Sequence, residues 1–201
     1  MKYIFFFIGS YLIGSIPFSW IIAKICKGID LRQHGSGNPG ATNVTRTCGA
    51  ALGRLAFALD LAKGMAPVLV ARHFLSDNAG VLIAVAVCAI AGHMWTIFLN
   101  FKGGKGVATS AGVFFGLLPI PTAMALALFA IVFLIWRMIS LASIIAALSL
   151  PVFAVAARQK TTFTVFGALI AIFIVVKHIP NIKRIINGTE QKWIKEQGPS
   201  T

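Results

Sequence analysis

Seven apolar stretches joined by short connectors leave this chain little choice of solvent. They run over 3–23, 50–72, 79–99, 107–119, 121–136, 139–157 and 162–177 of a 201-residue sequence. A helix needs about 20 residues to cross a bilayer core, and inside it every backbone polar group must be bonded within the protein. Charged residues make up 11% of the chain, where soluble proteins run near a quarter, and the mean hydropathy is +0.86. The expectation is an all-α integral membrane protein, with one membrane-embedded domain over 1–201 and no room for a second large one.

The 107–119 segment is shorter than a full crossing, and Pro119 and Pro121 close it with a turn. Counted as a short crossing it gives a seven-transmembrane helix bundle; five spans plus a re-entrant pair is the other count. The first stretch has no A-x-A-like cleavage site, so it is expected to be a retained span rather than a signal peptide.

Eighteen Lys and Arg against five Asp and Glu give a formal net charge of +13. These cations punctuate apolar spans instead of forming a stripe on a soluble fold. That argues against nucleic acid and leaves anionic lipid headgroups or a phosphorylated small molecule. The positive-inside rule sets the orientation. With the N-terminus outside and the C-terminus cytoplasmic, the 24–49 loop, 100–106, the 137–138 turn and the basic tail through Lys195 share the cytoplasmic face. Only Lys2, Arg72, Arg158 and Lys160 fall outside. An even number of crossings would put the 24–49 loop or the tail on the wrong side. Within 50–72, Asp60 and Lys63 lie three apart on one helical face, where the cost of intramembrane charge predicts that they pair.

Three polar stretches fall on the predicted cytoplasmic side. The first, Arg32 to Arg46, contains G-x-G-x-x-G at Gly35, Gly37 and Gly40. A dinucleotide site would need a β-strand before it, and an apolar helix stands there instead. Two readings remain: a loop whose glycines bring N–H groups to an anion, or a polar connector with ordinary turn formers. The second, Phe101-Lys-Gly-Gly-Lys-Gly-Val-Ala-Thr109, leads straight into a helix. It is either a phosphate site at a helix N-terminus with Lys105 beside it, or a turn whose lysines enforce topology. The third, Lys177 to Glu190, suits an interfacial helix on anionic lipid. In it Glu190 either holds a basic side chain or is a solvated charge.

No covalent nucleophile motif is visible. The residue five after His73 is Asn78, not the Asp of a His-x4-Asp acyltransferase, and there is no G-x-S-x-G elbow. Cys26, Cys48 and Cys88 have no metal-like spacing. His93 near the end of its span is expected to be a hydrogen-bonded bundle residue. An enzyme of this kind would position an already activated substrate among cations and amides.

Taken together, Gly-Ser-Ile-Pro-Phe at 14–18, Gly35 to Asn43, Gly92-His93 with Phe101 to Thr109, Ser140-Leu-Ala-Ser143 and Gly188-Thr-Glu190 resemble one family. It is the bacterial acyl-phosphate:glycerol-3-phosphate acyltransferase family, PlsY, and the resemblance covers essentially the whole chain. It implies acyl transfer from acyl phosphate to the 1-hydroxyl of sn-glycerol 3-phosphate, giving lysophosphatidic acid and phosphate in phospholipid synthesis. The implied place is the bacterial cytoplasmic (inner) membrane, with the site facing the cytoplasm. The implied partners are those two substrates and membrane lipid, with no nucleic acid, cofactor or metal.

The same resemblance assigns roles. Ser36, Arg46, Lys105, His178 and Asn181 match catalytic positions. Asn38, Thr42, Asn43, Gly103, Gly104, Gly106 and Ser143 match substrate-binding ones, and Glu190 is architectural. Family members often read His-Arg-x-Asn in the third motif, where this chain has His178-Ile179-Pro180-Asn181. The rival function is an organophosphate transporter. Transporters usually place the site near the midplane between inverted repeats; here no repeat is visible, and Asp60-Lys63 is the one midspan feature in favour.

Overall fold

The computed structural model describes residues 2–75 and 78–193; Lys195 of the basic tail lies outside them. The described residues form α1 (Lys2–Ser15), α2 (Phe18–Lys27), α3 (Ala41–Cys48), α4 (Ala50–Phe74), α5 (Ala79–Met94), α6 (Val107–Leu117), α7 (Pro119–Trp136), α8 (Ile139–Ala156), α9 (Thr161–Lys177) and α10 (Ile179–Ile186). A single 3-10 turn, Ile97–Leu99, follows α5, and no strand is present among these residues.

All seven apolar stretches are helical, and four segments are long and apolar enough to cross a bilayer. These are α1 with α2, α5 with its 3-10 turn, α7, and α8; α9 with α10, bent by 59°, makes a fifth. Helix α4 is 25 residues long but carries Arg54, Asp60, Lys63 and Arg72. Helix α6 has 11 residues, about 16 Å at 1.5 Å per residue, roughly half a hydrocarbon core.

The expectation for the prolines after α6 needs correcting. Leu118 alone makes the turn, while Pro119 and Pro121 belong to α7. Proline is tolerated at the start of a helix, where the missing N–H would have had no partner. Helix α3 is a second difference, lying inside what reads from sequence as a continuous loop.

The short α6 is central because its neighbours come very close. Gly64 of α4 lies against the backbone of Thr109, and Gly112 of α6 against the backbone of Leu61 and Met65. A Cβ at either place would strike main chain, so small residues set the spacing of this pair. Val113, Phe114 and Leu117 are then buried with Val68 of α4, Leu82 and Val85 of α5, Leu150 of α8 and Phe166 of α9.

The first span is not one helix. Proline at 17 ends α1 at Ser15 and starts α2 at Phe18, leaving carbonyls without their helical donors. The Thr96 hydroxyl donates to the Ser15 carbonyl at 2.5 Å, and Lys63 Nζ donates to the Ile16 carbonyl at 2.7 Å. Lys63 also pairs with Asp60 at 2.7 Å, and Asp60 Oδ2 accepts from Ser19 Oγ of α2 at 2.7 Å. Both charged side chains are almost fully buried.

Replacing one member of such a buried pair strands the other. Asp60→Ala is expected to cost about 3–5 kcal/mol, read as a lower thermal unfolding midpoint in detergent. Adding Lys63→Met recovers part of that loss, because the stranded charge disappears with it.

Candidate active site

Helix α3, the first half of α4, the end of α5, the start of α6, the second half of α7, the start of α8 and the junction of α9 with α10 surround one cavity of about 680 Å³. Ser36, Asn38, Thr42 and Arg46 line it from the first loop and α3. Ala50, Gly53, Arg54, Phe57 and Asp60 line it from α4, at spacings that share one helical face. Lys105 and Gly106 line it from the start of α6, Ser140 and Ser143 from α8, and His178 and Asn181 from the α9–α10 junction.

The first loop is folded around Asn43, which is fully buried. Its Nδ2 donates to the carbonyls of Leu31 and His34 at 3.0 and 2.9 Å, and its Oδ1 accepts from the Ser36 N–H at 3.0 Å. Asn43 is absent from the cavity lining, so its expected substrate contact is not what the geometry shows. It braces the loop that presents Ser36.

The 101–106 segment holds a comparable correction. The Gly103 N–H donates to the Met94 carbonyl at 3.1 Å, and the Gly104 N–H to the His93 carbonyl at 3.2 Å. Those donors face α5, and neither glycine lines the cavity. A side chain at Gly103 would strike these carbonyls, and one at Gly104 would strike the His93 ring. Their glycines let the loop lie flat on α5, which sets Lys105 and Gly106 at the cavity. Gly106, at φ +85°, caps α6. The first N–H groups of that helix have no partner within it and suit an anion.

Lys105 Nζ donates to Asn181 Oδ1. Asn181 Nδ2 in turn donates to Glu190 Oε1 at 2.8 Å, as Ser140 Oγ does at 2.6 Å, while Arg184 Nε donates to Glu190 Oε2 at 2.7 Å. Of the two roles open to Glu190, it therefore holds a basic side chain, and it orients Asn181 as well. Burial alone would raise its carboxyl pKa, but hydrogen bonds from Ser140, Asn181 and Arg184 outweigh that and lower it. Lys105 is lowered to about 8, first by burial and then by Arg184 and Arg46, with Glu190 opposing. Burial also lowers Arg46, which is too basic to lose its charge.

His178 Nδ1 lies 2.8 Å from the Ile174 carbonyl. A carbonyl only accepts, so the proton is assigned to Nδ1 and Nε2 is left as the acceptor. Pro180 falls in the first turn of α10, where it turns the chain without removing a needed donor. His178 and Asn181 both still line the cavity. Ser143 lines it too, although its hydroxyl donates back to the Ile139 carbonyl at 2.8 Å.

The model of a family described as glycerol-3-phosphate acyltransferase matches residues 4–188. A glycerol-3-phosphate acyltransferase of Desulforamulus reducens is 45% identical over 185 residues, which is 92% of each chain. The chain belongs to the glycerol-3-phosphate acyltransferase family. Two crystal structures of PlsY, an integral membrane glycerol 3-phosphate acyltransferase, share the fold at TM-scores of 0.91 and 0.89. They are 40% and 39% identical to this chain over 96% of each, one in the glycerol 3-phosphate form and the other in the lysophosphatidic acid form.

Within this acyltransferase fold, several lining residues were not singled out from sequence. Arg54, Phe57, Phe129, Phe133 and Trp193 all border the cavity. His93 lines it as well, with Nδ1 3.8 Å from Asp60 Oδ1. The spacing of 50, 53, 54, 57 and 60 on a single helical face was the available signal for α4. Nothing local marks Trp193, which arrives because its N–H bonds the Arg137 carbonyl at 2.6 Å.

Asn43→Ala is expected to act on the loop rather than directly on a ligand. Loss of three buried hydrogen bonds should cost about 1–3 kcal/mol or more. It should speed amide hydrogen exchange over residues 31–37, while exchange in α5 and α6 stays unchanged.

Proposed function

We propose that this chain transfers a fatty acyl group from acyl phosphate to the 1-hydroxyl of sn-glycerol 3-phosphate. Lysophosphatidic acid and inorganic phosphate are the products. The observation that carries the reading is the single cavity in which Arg46, Lys105, His178 and Asn181 converge, in a chain whose relatives are glycerol-3-phosphate acyltransferases.

The acceptor's phosphate lies among Arg46, Lys105 and the N-terminus of α6, with Ser36, Asn38 and Thr42 as further donors. Gly106 supplies the turn that aims them. The donor's chain runs into a second, apolar cavity of about 80 Å³ between α6, α7, α8 and α9, reached past Phe57, Val107, Phe129 and Ser143. The 1-hydroxyl oxygen attacks the acyl carbon, the C–O bond to phosphate breaks, and the hydroxyl proton ends on the departing phosphate.

No covalent enzyme intermediate is required, because acyl phosphate is already activated. Among the described residues no cysteine lines the cavity; of its three serines, Ser140 and Ser143 have their hydroxyls engaged elsewhere, and Ser36 is assigned to the acceptor's phosphate. A phosphate oxygen of the donor takes the proton in the version we favour; His178 Nε2 is the second base available. The proposed setting is the bacterial cytoplasmic membrane. There, seven crossings place the cavity on the cytoplasmic side, an orientation supported by the cations of 24–49, 100–106 and the tail.

The test is phosphate release from palmitoyl phosphate by purified protein in lipid mesophase. Release should require glycerol 3-phosphate, yield lysophosphatidic acid and fall by 100-fold or more in Arg46→Ala and Lys105→Ala, with acyl-CoA inactive as donor. No product from either donor in folded protein would remove the assignment and point to transport.

The pH dependence follows from Lys105. It is charged below its pKa of about 8 and loses its attraction for phosphate above it. The KM for glycerol 3-phosphate should therefore climb as pH passes about 8, with kcat less affected. In Lys105→Arg that rise should vanish up to pH 10, since a guanidinium stays charged.

A further inference from the structure

We infer that Arg54 holds the phosphate of the acyl donor, so that the cavity has two anion subsites served by different cations. This rests on the reaction proposed above. Among the described residues three cations line the cavity, Arg46, Arg54 and Lys105. Lys105 is engaged with Asn181 and sits in the field of Glu190. Arg46 feels Glu190 as well. Arg54 forms no ion pair or side-chain hydrogen bond among the described residues. An exposed guanidinium turned to a cavity that already holds two cations raises their mutual repulsion. An anion bound in the cavity relieves that repulsion.

Its place along α4 decides which anion. Arg54, Phe57 and Asp60 lie at intervals of three on the cavity face, descending from exposed Arg54 to buried Asp60. Phe57 borders both the polar cavity and the apolar one, and among the described residues no charged one lines the apolar cavity. Arg54 and Asp60, each about one helical turn from Phe57, line only the polar cavity, and Arg54 is the one on the side of the helix start. Helical side chains lean toward the N-terminus of their helix, which carries the guanidinium further from the apolar cavity and toward the polar mouth. An acyl phosphate whose chain passes Phe57 presents its phosphate at that level. Glycerol 3-phosphate has no chain to seat, and its phosphate takes the Lys105 and Arg46 side.

Two anions that repel each other thus meet separate cations, and the planar guanidinium suits a phosphate by two-point hydrogen bonding. Arg54 also neutralises the phosphate as a leaving group, so its removal should weaken donor capture above all.

Arg54→Gln and Arg54→Lys would be compared with the unaltered protein in steady-state assays varying each substrate separately. Binding of a non-transferable donor analogue, a long-chain 2-oxoalkyl phosphonate, would be followed by thermal shift. The expected result is a rise of about 10-fold or more in the KM for acyl phosphate with Arg54→Gln. The KM for glycerol 3-phosphate should stay within about twofold, analogue affinity should fall in parallel, and Arg54→Lys should recover a large part. A donor KM and analogue affinity unchanged in Arg54→Gln, or an equal rise for both substrates, would overturn the inference while leaving the acyltransferase standing. If the unaltered protein turned over no acyl phosphate, the reaction itself would fall. Analogue binding that still depended on Arg54 would then keep a lipid-phosphate subsite, and binding indifferent to Arg54 would remove that too.

Discussion

A carbonyl freed inside a membrane must find a donor, and in this chain that requirement ties the fold together. Pro17 interrupts the first span, and the Ile16 carbonyl, which has lost its helical donor and accepts from the nearby Phe18 N–H, is also met by Lys63. A buried ammonium needs a counter-charge, and Asp60 provides it. Asp60 then accepts from Ser19, on the far side of the same break, and comes within 3.8 Å of His93 on α5. One proline thus links α1, α2, α4 and α5 through groups that could not be left alone in a low dielectric. Two of those helices, α4 and α5, also border the cavity. Asp60 and His93 form part of its lining, so the network that secures the break also fixes the floor under the site.

A second consequence concerns the glycines. Loops rich in glycine near lysine suggest backbone donors aimed at phosphate, and here the glycines act one step earlier. Gly103 and Gly104 give their N–H groups to α5 and lie against it without side chains. The result is a fixed strip of backbone from which Lys105 and the N-terminus of α6 project. Asn43 does the same work for Ser36 in the first loop. Much of the polarity of these motifs therefore builds the presenting surface, and the groups turned into the cavity are fewer and mostly cationic.

How much of this could be read from sequence depended on whether the cause was local. Apolar length and periodicity located the helices of all seven stretches, and the isolation of two charges on one face of 50–72 foretold the Asp60–Lys63 pair. The break at Pro17 and the assignment of Pro119 to α7 escaped that reading. A proline states only that a helical bond is missing, and the fold decides on which side of it the helix lies. The resemblance brought Ser36, Arg46, Lys105, His178 and Asn181 forward, and the structure gathers them around one cavity. It could not separate Asn43, whose three bonds run to main chain, from Asn38, which lines the cavity, because both are asparagines in one loop. Arg54 and Trp193 lay outside every motif and became visible only when helix faces and a chain return were put in three dimensions.

On the proposed reaction the site needs no nucleophile of its own, and the arrangement is consistent with that. A covalent intermediate would require a serine or cysteine beside a base, both held clear of the cations that a phosphorylated substrate demands. In this cavity Ser140 is bonded to Glu190 and Ser143 to its own helix, which leaves Ser36, on the proposed reaction a donor to phosphate. His178 Nδ1 is held by Ile174. On the proposed reaction, what remains suits direct displacement: cations to draw two anions together against their repulsion, and an apolar cavity to keep one of them in line. Electrostatic stabilisation in a partly dehydrated site is worth far more than the same charges in water. The bundle provides that setting because the cavity opens at helix ends, where polar loops meet the apolar interior.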